Sequence, residues 1–229
     1  MTRGACSVKK ALSDHFAQVG KALGQGSRLE LLEALAQGER SVDALAQVCA
    51  MPISNTSHHL QILRDAGLLA SRKTGLQVFY RIADEEVLRV IAGIRGIAQR
   101  QQAEVGRIVR EHYGSRDEFQ PVPRGELIRL VRNGEAIILD VRPEGEFISG
   151  HIPGAVNIPL DQLTLQLKKL PKSLEVVAYC RGPFCWLSFE AVELLRKKGY
   201  RARRLEEGYP EWKANRLPVE SGTLGVTAV

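Results

Sequence analysis

Apolar positions recur along the chain with two different periods, and the change between them divides it. Over residues 9–23, Leu12, Phe16, Val19 and Leu23 stand three or four apart, the spacing of one helical face. A second helix is predicted from Ser27, an N-cap whose capping box is completed by Glu30, through Leu31, Leu32, Ala34 and Leu35. Ser41 repeats the device ahead of Val42, Leu45, Ala46 and Val48. The break Met51-Pro52-Ile53-Ser54 then predicts a fourth helix, capped by Ser54, reaching Asp65 and ended by Gly67. Residues 68–82 change to strand character and read as a hairpin turning at Thr74-Gly75. Over residues 84–113 the helical period returns through Val87, Val90, Ile91, Ile94, Ile97, Ala98, Val105, Ile108 and Val109, predicting one helix of thirty residues. So long an apolar stripe exceeds what a small domain can cover, so it is read as a dimerisation helix working with the first. Packing within its own chain is the alternative.

Residues 114–123 (GSRDEFQPVP) are polar, aperiodic and contain two prolines, the pattern of a linker. Beyond them helices and strands alternate. Helices are expected at 124–132, 144–149, up to about residue 170, and at 186–198; strands are expected at 136–141, 174–179 and 201–205, with a closing turn at 208–212. This alternation predicts a parallel sheet with helices on both faces and a ligand site at the carboxyl ends of its strands, where Cys180 falls.

Composition narrows the class. The 229 residues are 44% hydrophobic and 25% charged, enough for two ordinary globular domains. No apolar run approaches the roughly 18 residues needed to cross a bilayer. The first ten residues have no apolar signal core, so a cytoplasmic protein with no membrane partner is expected. Four cysteines at 6, 49, 180 and 185 form no paired CxxC, which argues against a disulfide scaffold or a zinc site. Residues 1–113 carry 15 Lys+Arg against 11 Asp+Glu, and residues 114–229 carry 17 against 15, so of the net +6 the larger share lies in the first half. That balance hints at nucleic acid there.

On the fourth helix, Thr56, Leu60 and Leu63 share one face, and Ser54, His58, Gln61 and Asp65 the opposite one, flanked by Asn55, Ser57 and Arg64. A small, hydrogen-bonding face after a tight turn suits a major-groove recognition helix, although an ordinary solvated face has the same look. Arg72 and Lys73 lie at the hairpin tip with Gln77 beyond it, which suits a wing holding phosphates or entering the minor groove. The stretches SNTSHHLQILRDAGLL and VFYRI, within residues 9–82, resemble the winged-helix repressors of the ArsR type. The resemblance implies a homodimer on a near-palindromic operator, usually repressing. The first and last helices of the domain would form the dimer contact, and Ser54, Asn55, Ser57, His58, Gln61, Arg64, Arg72, Lys73 and Gln77 would face DNA. The sensor devices of that family are missing: the third helix has no paired cysteines, no Asp-x-His opens the last helix, and neither the second nor the last helix has a cysteine. His59 leans inward as a packed, hydrogen-bonded residue, Cys49 is read as core, and Cys6 lies in a segment expected to be disordered. Neither a metal nor a cofactor is expected.

In the second half, the apolar run Val176-Val177-Ala178-Tyr179 leads into Cys180-Arg181-Gly182-Pro183-Phe184-Cys185-Trp186. A sulfur at the start of a helix, beside an arginine, is favoured as thiolate; an inert core cysteine is the alternative. LDVRPEGEFISGHIPGAVNIP resembles the opening signature of rhodanese domains and GYPEWKANRLPVE their closing signature, over residues 121–222. By that resemblance Cys180 is the nucleophile that becomes a persulfide. The amides of Arg181, Gly182, Pro183, Phe184 and Cys185 cradle the anion, Arg181 helps to hold an anionic donor, and Asp140 and Arg142 support the loop or contact substrate. Arg142 pairing only with Asp140 or a glutamate is equally open. Cys185 could attack the persulfide to give a disulfide or a bridged polysulfide, or simply be the first buried residue of its helix. The loop is too short to ring a tetrahedral oxyanion, which argues against phosphatase activity.

The predicted molecule is therefore multidomain. A mainly α winged helix-turn-helix occupies residues 1–113, a linker 114–123, and an α/β rhodanese-like domain with a parallel sheet 124–229. Three functions are compatible with it: a DNA-binding repressor that senses or carries sulfane sulfur on Cys180, a rhodanese-type sulfurtransferase independent of DNA, and a non-catalytic docking module. The donor would be thiosulfate, polysulfide or a low-molecular-weight persulfide.

Overall fold

In the computed structural model the described residues are 3–113 and 121–222, without the side chains of 3–7, 106, 109, 110 and 113. The chain divides into two compact units, Met1–Val87 and Leu88–Val229.

The first unit runs α1 (Arg3–Leu23), α2 (Gly26–Leu35), β1 (Arg40–Ser41), α3 (Val42–Val48), α4 (Ile53–Asp65), β2 (Leu69–Thr74) and β3 (Gln77–Ile82). Its core is built from the positions that the helical period selects, Leu31, Leu32, Leu45, Leu60 and Leu63, all fully buried. Each contributes roughly 2–3 kcal/mol by leaving water. Ser41 caps α3, its Oγ accepting the Ala44 N–H at 3.2 Å.

Two expected caps are corrected. The Gln25 carbonyl receives the N–H groups of Arg28 and Leu29, so α2 begins ahead of Ser27, which falls in its first turn. The Pro52 carbonyl likewise receives both the N–H and the hydroxyl of Thr56, so α4 begins at Ile53 and Ser54 is not its cap. Residues 3–8 extend α1, so the backbone at Cys6 is helical rather than a disordered tail. Thr74 pairs with Gln77, which places the hairpin loop at Gly75-Leu76, one residue later than expected; Gly75 takes the positive φ of +60° that a side chain would resist. β1, two residues long, gives no period to read, yet it pairs with Tyr80 and Phe79 to complete an antiparallel sheet of order β1-β3-β2.

The expected thirty-residue helix is two: α5 (Glu85–Gln101) and α6 (Ala103–Tyr113), interrupted at Gln102. Apolar spacing continues across the break, which is why periodicity does not reveal it. Of the expected linker, residues 114–120 lie outside the described residues. Val122 is fully buried and bridges Leu205 in parallel.

The second unit continues with α7 (Arg124–Arg132), β4 (Ala136–Asp140), α8 (Glu144–Ser149), β5 (Val156–Asn157), α9 (Leu160–Gln166), β6 (Glu175–Tyr179), α10 (Trp186–Lys197), β7 (Ala202–Arg204) and α11 (Tyr209–Ala214). Residues 208–212, expected as a turn, mostly belong to α11. All four strands are parallel, in the order β5-β4-β6-β7. The two-residue period of β6 sends Val176, Ala178 and then Cys180 into one apolar cluster with α9 and α10, and Val177 and Tyr179 into another with α7 and α11. Helices thus cover both faces, and β6 delivers Cys180 at its carboxyl end.

Candidate functional site

Cys180 directly follows β6 and is 1% exposed. Cys185 is the N-cap residue of α10 and packs against the apolar cluster that contains Cys180. The two are joined as a disulfide with their Cα atoms 6.1 Å apart. Cys185 is therefore both things that the sequence leaves open, a packed residue at the helix start and a partner facing Cys180.

The expected amide cradle is smaller than five groups. Pro183 has no N–H, and the Cys185 N–H donates to the Gly182 carbonyl at 3.1 Å. The Arg181 side chain does not stand ready for an anion. Its Nε and Nη2 donate to both oxygens of Glu146 at 2.7–3.1 Å, and the Glu146 side chain is only 7% exposed.

Asp140 and Arg142 are completely buried and paired, with Nη2 to Oδ2 at 2.6 Å and Nε to Oδ1 at 3.0 Å. Arg142 also donates to the Gly150 carbonyl at 2.8 Å and lies 4.4 Å from the centroid of the Tyr209 ring. Burial alone would depress its guanidinium, but the hydrogen bonds and charge of Asp140 outweigh that and hold it above its ordinary range. Burial, reinforced by the Asp140 charge, pushes the Tyr179 phenol well up, and its oxygen accepts the Ile152 N–H. These groups lie at the ends of β4 and β6, and Arg142, fully enclosed, meets Asp140, the Gly150 carbonyl and the Tyr209 ring.

The closing segment holds the cysteine loop from above, a role that sequence reasoning missed. The Tyr209 N–H donates to the Cys180 carbonyl at 3.0 Å. Gly208 lies flat on the loop backbone: a Cβ there would come within 2.3 Å of the Gly182 nitrogen. Glu211 accepts the Gly208 N–H at 3.0 Å and pairs with Arg95 of α5. Glycine at an N-cap with glutamate three residues on was the legible signal. Beside the loop an open cleft of about 620 Å³ is lined by Arg181, the carboxylates of Glu144, Asp161 and Glu190, and apolar residues including Leu160 and Leu187. Leu160 and Leu187 pack against the cluster that holds Cys180.

In the first unit, α4 buries Thr56, Leu60 and Leu63 and exposes Ser54, Asn55, His58, Gln61 and Arg64, with Ser57 half-buried. The face expected to meet DNA is thus on the outside, with Arg64 paired to Asp65 at 3.0 Å. Lys73 and Gln77 are exposed on the hairpin. Arg72 is held by Glu39, Nε to Oε2 at 2.8 Å, and stacks on Phe79. His59 is packed as expected, but its buried Nδ1 has no hydrogen-bond partner among the described residues, and burial lowers its basicity. Cys49 ends α3 half-buried, and burial pushes its thiol up. Among the described residues no group of three or more His, Cys, Asp or Glu could hold a metal ion. No helix among them is long and apolar enough to cross a membrane.

Fold and site together define a winged helix-turn-helix unit joined to a rhodanese-like one. Residues 23–72 match the helix-turn-helix domain family, and residues 124–215 match the rhodanese-like domain family. The chain is 41% identical over 219 residues to the HTH-type transcriptional regulator Rv0324 of Mycobacterium tuberculosis, covering 96% of each. It belongs to the ArsR-type DNA-binding transcriptional regulators that carry a rhodanese-like domain. The first part is 44% identical to the homodimeric winged helix-turn-helix domain (fragment 1-100) of Mb0332 from Mycobacterium bovis, over 41% of this chain and 87% of that one, with a TM-score of 0.39. The second is 33% identical over 100 residues to the thiosulfate:glutathione sulfurtransferase of Homo sapiens, covering 38% of this chain and 87% of that protein.

Proposed function

We propose that the chain is a homodimeric repressor whose operator affinity responds to sulfane sulfur taken up by Cys180. The observation that carries this reading is the cysteine pair, Cys180 and Cys185, in one loop at the end of β6 and within disulfide reach. In the reduced protein, the Cys180 thiolate attacks the outer sulfur of a donor RS–SH. The Cys180–S–SH bond forms, the donor S–S bond breaks, and RS⁻ leaves. The Cys185 thiolate, at the start of α10 where the helix dipole favours negative charge, then attacks Sγ of Cys180. A disulfide forms and HS⁻ departs, so the sulfane sulfur is the oxidant and one loading event leaves a covalent mark.

Several features support the rest. The relative from Mycobacterium bovis is homodimeric. In this chain α1 exposes Val8, Leu12, Phe16 and Val19, while α5 and α6 expose Val90, Ile94, Ile97 and Ile108, apolar stripes that a second copy would cover. Operator contacts are assigned to Ser54, Asn55, Ser57, His58, Gln61 and Arg64 of α4, and to Lys73, Gln77 and Arg72 of the hairpin.

The test is operator binding by reduced wild type, Cys180→Ser and Cys185→Ser, before and after an alkyl persulfide, with intact mass read in parallel. Wild type is expected to gain the disulfide and change operator affinity by about tenfold. Cys180→Ser should do neither, and Cys185→Ser should stop at the persulfide. If affinity is unchanged while Cys180 turns over sulfur, the chain is a sulfurtransferase whose chemistry is independent of DNA. If Cys180 does not load at all, the domain is a docking module.

A further inference from the structure

We infer that Glu146 sets the donor selectivity of Cys180, excluding dianionic donors such as thiosulfate in favour of persulfides of low charge. The inference deepens the sulfur-loading reading above and rests on it.

An arginine next to a sulfur nucleophile would ordinarily attract an anionic donor. Here both Nε and Nη2 of Arg181 are committed to Glu146, at 2.7–3.1 Å. The two partners are unequal: the Arg181 side chain is 41% exposed, and that of Glu146 is 7% exposed. Turning Arg181 toward a donor would therefore break three hydrogen-bond contacts to a carboxylate that is almost fully buried. As a unit, Arg181 and Glu146 present no net charge. The adjoining cleft then adds Glu144, Asp161 and Glu190 to its rim, while Leu160 and Leu187 provide an apolar wall continuous with the cluster around Cys180. A thiosulfate dianion would meet three carboxylates without an uncommitted guanidinium among the cleft residues named. The shortened amide cradle, with Pro183 lacking an N–H and the Cys185 N–H turned to Gly182, offers it little in return. An alkyl persulfide, RS–SH, carries its reactive sulfur on an apolar stem and needs no cationic partner for a second charge. The same attack serves both donors: the Cys180–S bond forms as the S–S bond breaks, releasing RS⁻ from the persulfide or sulfite from thiosulfate.

The experiment uses the reduced, desalted full-length protein in the Cys185→Ser background, so that the persulfide on Cys180 is not resolved. The rate of gain of one sulfur atom is followed by intact mass with thiosulfate and with a small alkyl persulfide. The parent should load far faster from the persulfide. Glu146→Gln, which keeps the shape and releases Arg181, should raise the thiosulfate rate about tenfold relative to the persulfide rate, and Glu146→Asp, which restores a carboxylate, should return the ratio toward that of the parent. An unchanged ratio in a folded Glu146→Gln protein overturns the inference. Should that variant not fold, Arg181→Gln decides: thiosulfate loading that stays low and unchanged supports the inference, and a collapse of appreciable thiosulfate loading shows Arg181 already at work as an anion holder and overturns it. Loading by neither donor in the parent would sink the sulfur-loading reading itself, and this inference with it. Loading by both at similar rates leaves that reading standing and removes only the selectivity.

Discussion

A methyl group added at Gly208 would stand 2.3 Å from the nitrogen of Gly182 and 2.4 Å from its Cα, both backbone atoms that no rotamer change can move aside. The adjoining Tyr209 N–H holds the Cys180 carbonyl, so the displacement would fall on the segment that carries the nucleophile. Gly208→Ala is expected to slow persulfide loading of Cys180 by about tenfold or more, because misplacement of a reacting group by about 1 Å can cost 100-fold. Intact mass after a timed exposure to donor reads this directly. Loading at the wild-type rate would mean that the loop tolerates being lifted. The buried pair of Asp140 and Arg142 works at the same scale in a different way. Neither side chain reaches solvent, so its contribution is to fix the strand ends from which the loop departs. The sequence left Arg142 between contacting substrate and pairing with Asp140, since an arginine two residues after an aspartate can do either; in the fold it is paired with Asp140 and enclosed.

Among the elements, α4 has a weakness on its inner side. His59 is half-buried with Nδ1 lacking a partner among the described residues, and burial, aided by the charges of Arg28 and His58, lowers its pKa from the ordinary 6.5. The fold therefore prefers the neutral ring. Its contribution to stability is present above pH 6.5 and is lost as pH falls through the lowered value. Urea unfolding at about pH 7.5 and about pH 5 should show a smaller acid-side loss in His59→Leu than in wild type, since that side chain has nothing to protonate. Equal losses would acquit His59. Legibility also varied by element. The inward leucines of α4 and the bounds of α7 and α8 could be read, because apolar period and turn residues agree there. The starts of α2 and α4 could not, since their N-cap residues, Gln25 and Pro52, make no side-chain cap hydrogen bond and so leave no cap signal. The Glu146 grip on Arg181 spans 35 positions and leaves no periodic trace. The chain order alone placed Cys180 at the end of β6.

For the molecule as a whole, the apolar stripes of α1, α5 and α6 are the features least suited to a solitary chain. Phe16 is 70% exposed and Ile97 58%, and each lies on a helical face with other exposed apolar residues. Phe16→Glu should weaken self-association by about tenfold or more, measurable by sedimentation, and weaken operator binding with it. An unchanged association constant would exclude α1 from the dimer contact. A different consequence follows from the hydrogen bond between Tyr209 and Cys180. The first unit is complete by residue 87. The loop around Cys180 acquires its roof only when residues 208 and 209 have been made. A ribosome that stops after α6 and before residue 208, at a nonsense codon or a stall, releases a protein with helices α1 to α6 whole and its cysteine loop unroofed. On the function proposed above, early termination there would thus yield an operator-binding fragment deaf to sulfur, and such alleles would act as dominant rather than as simple losses.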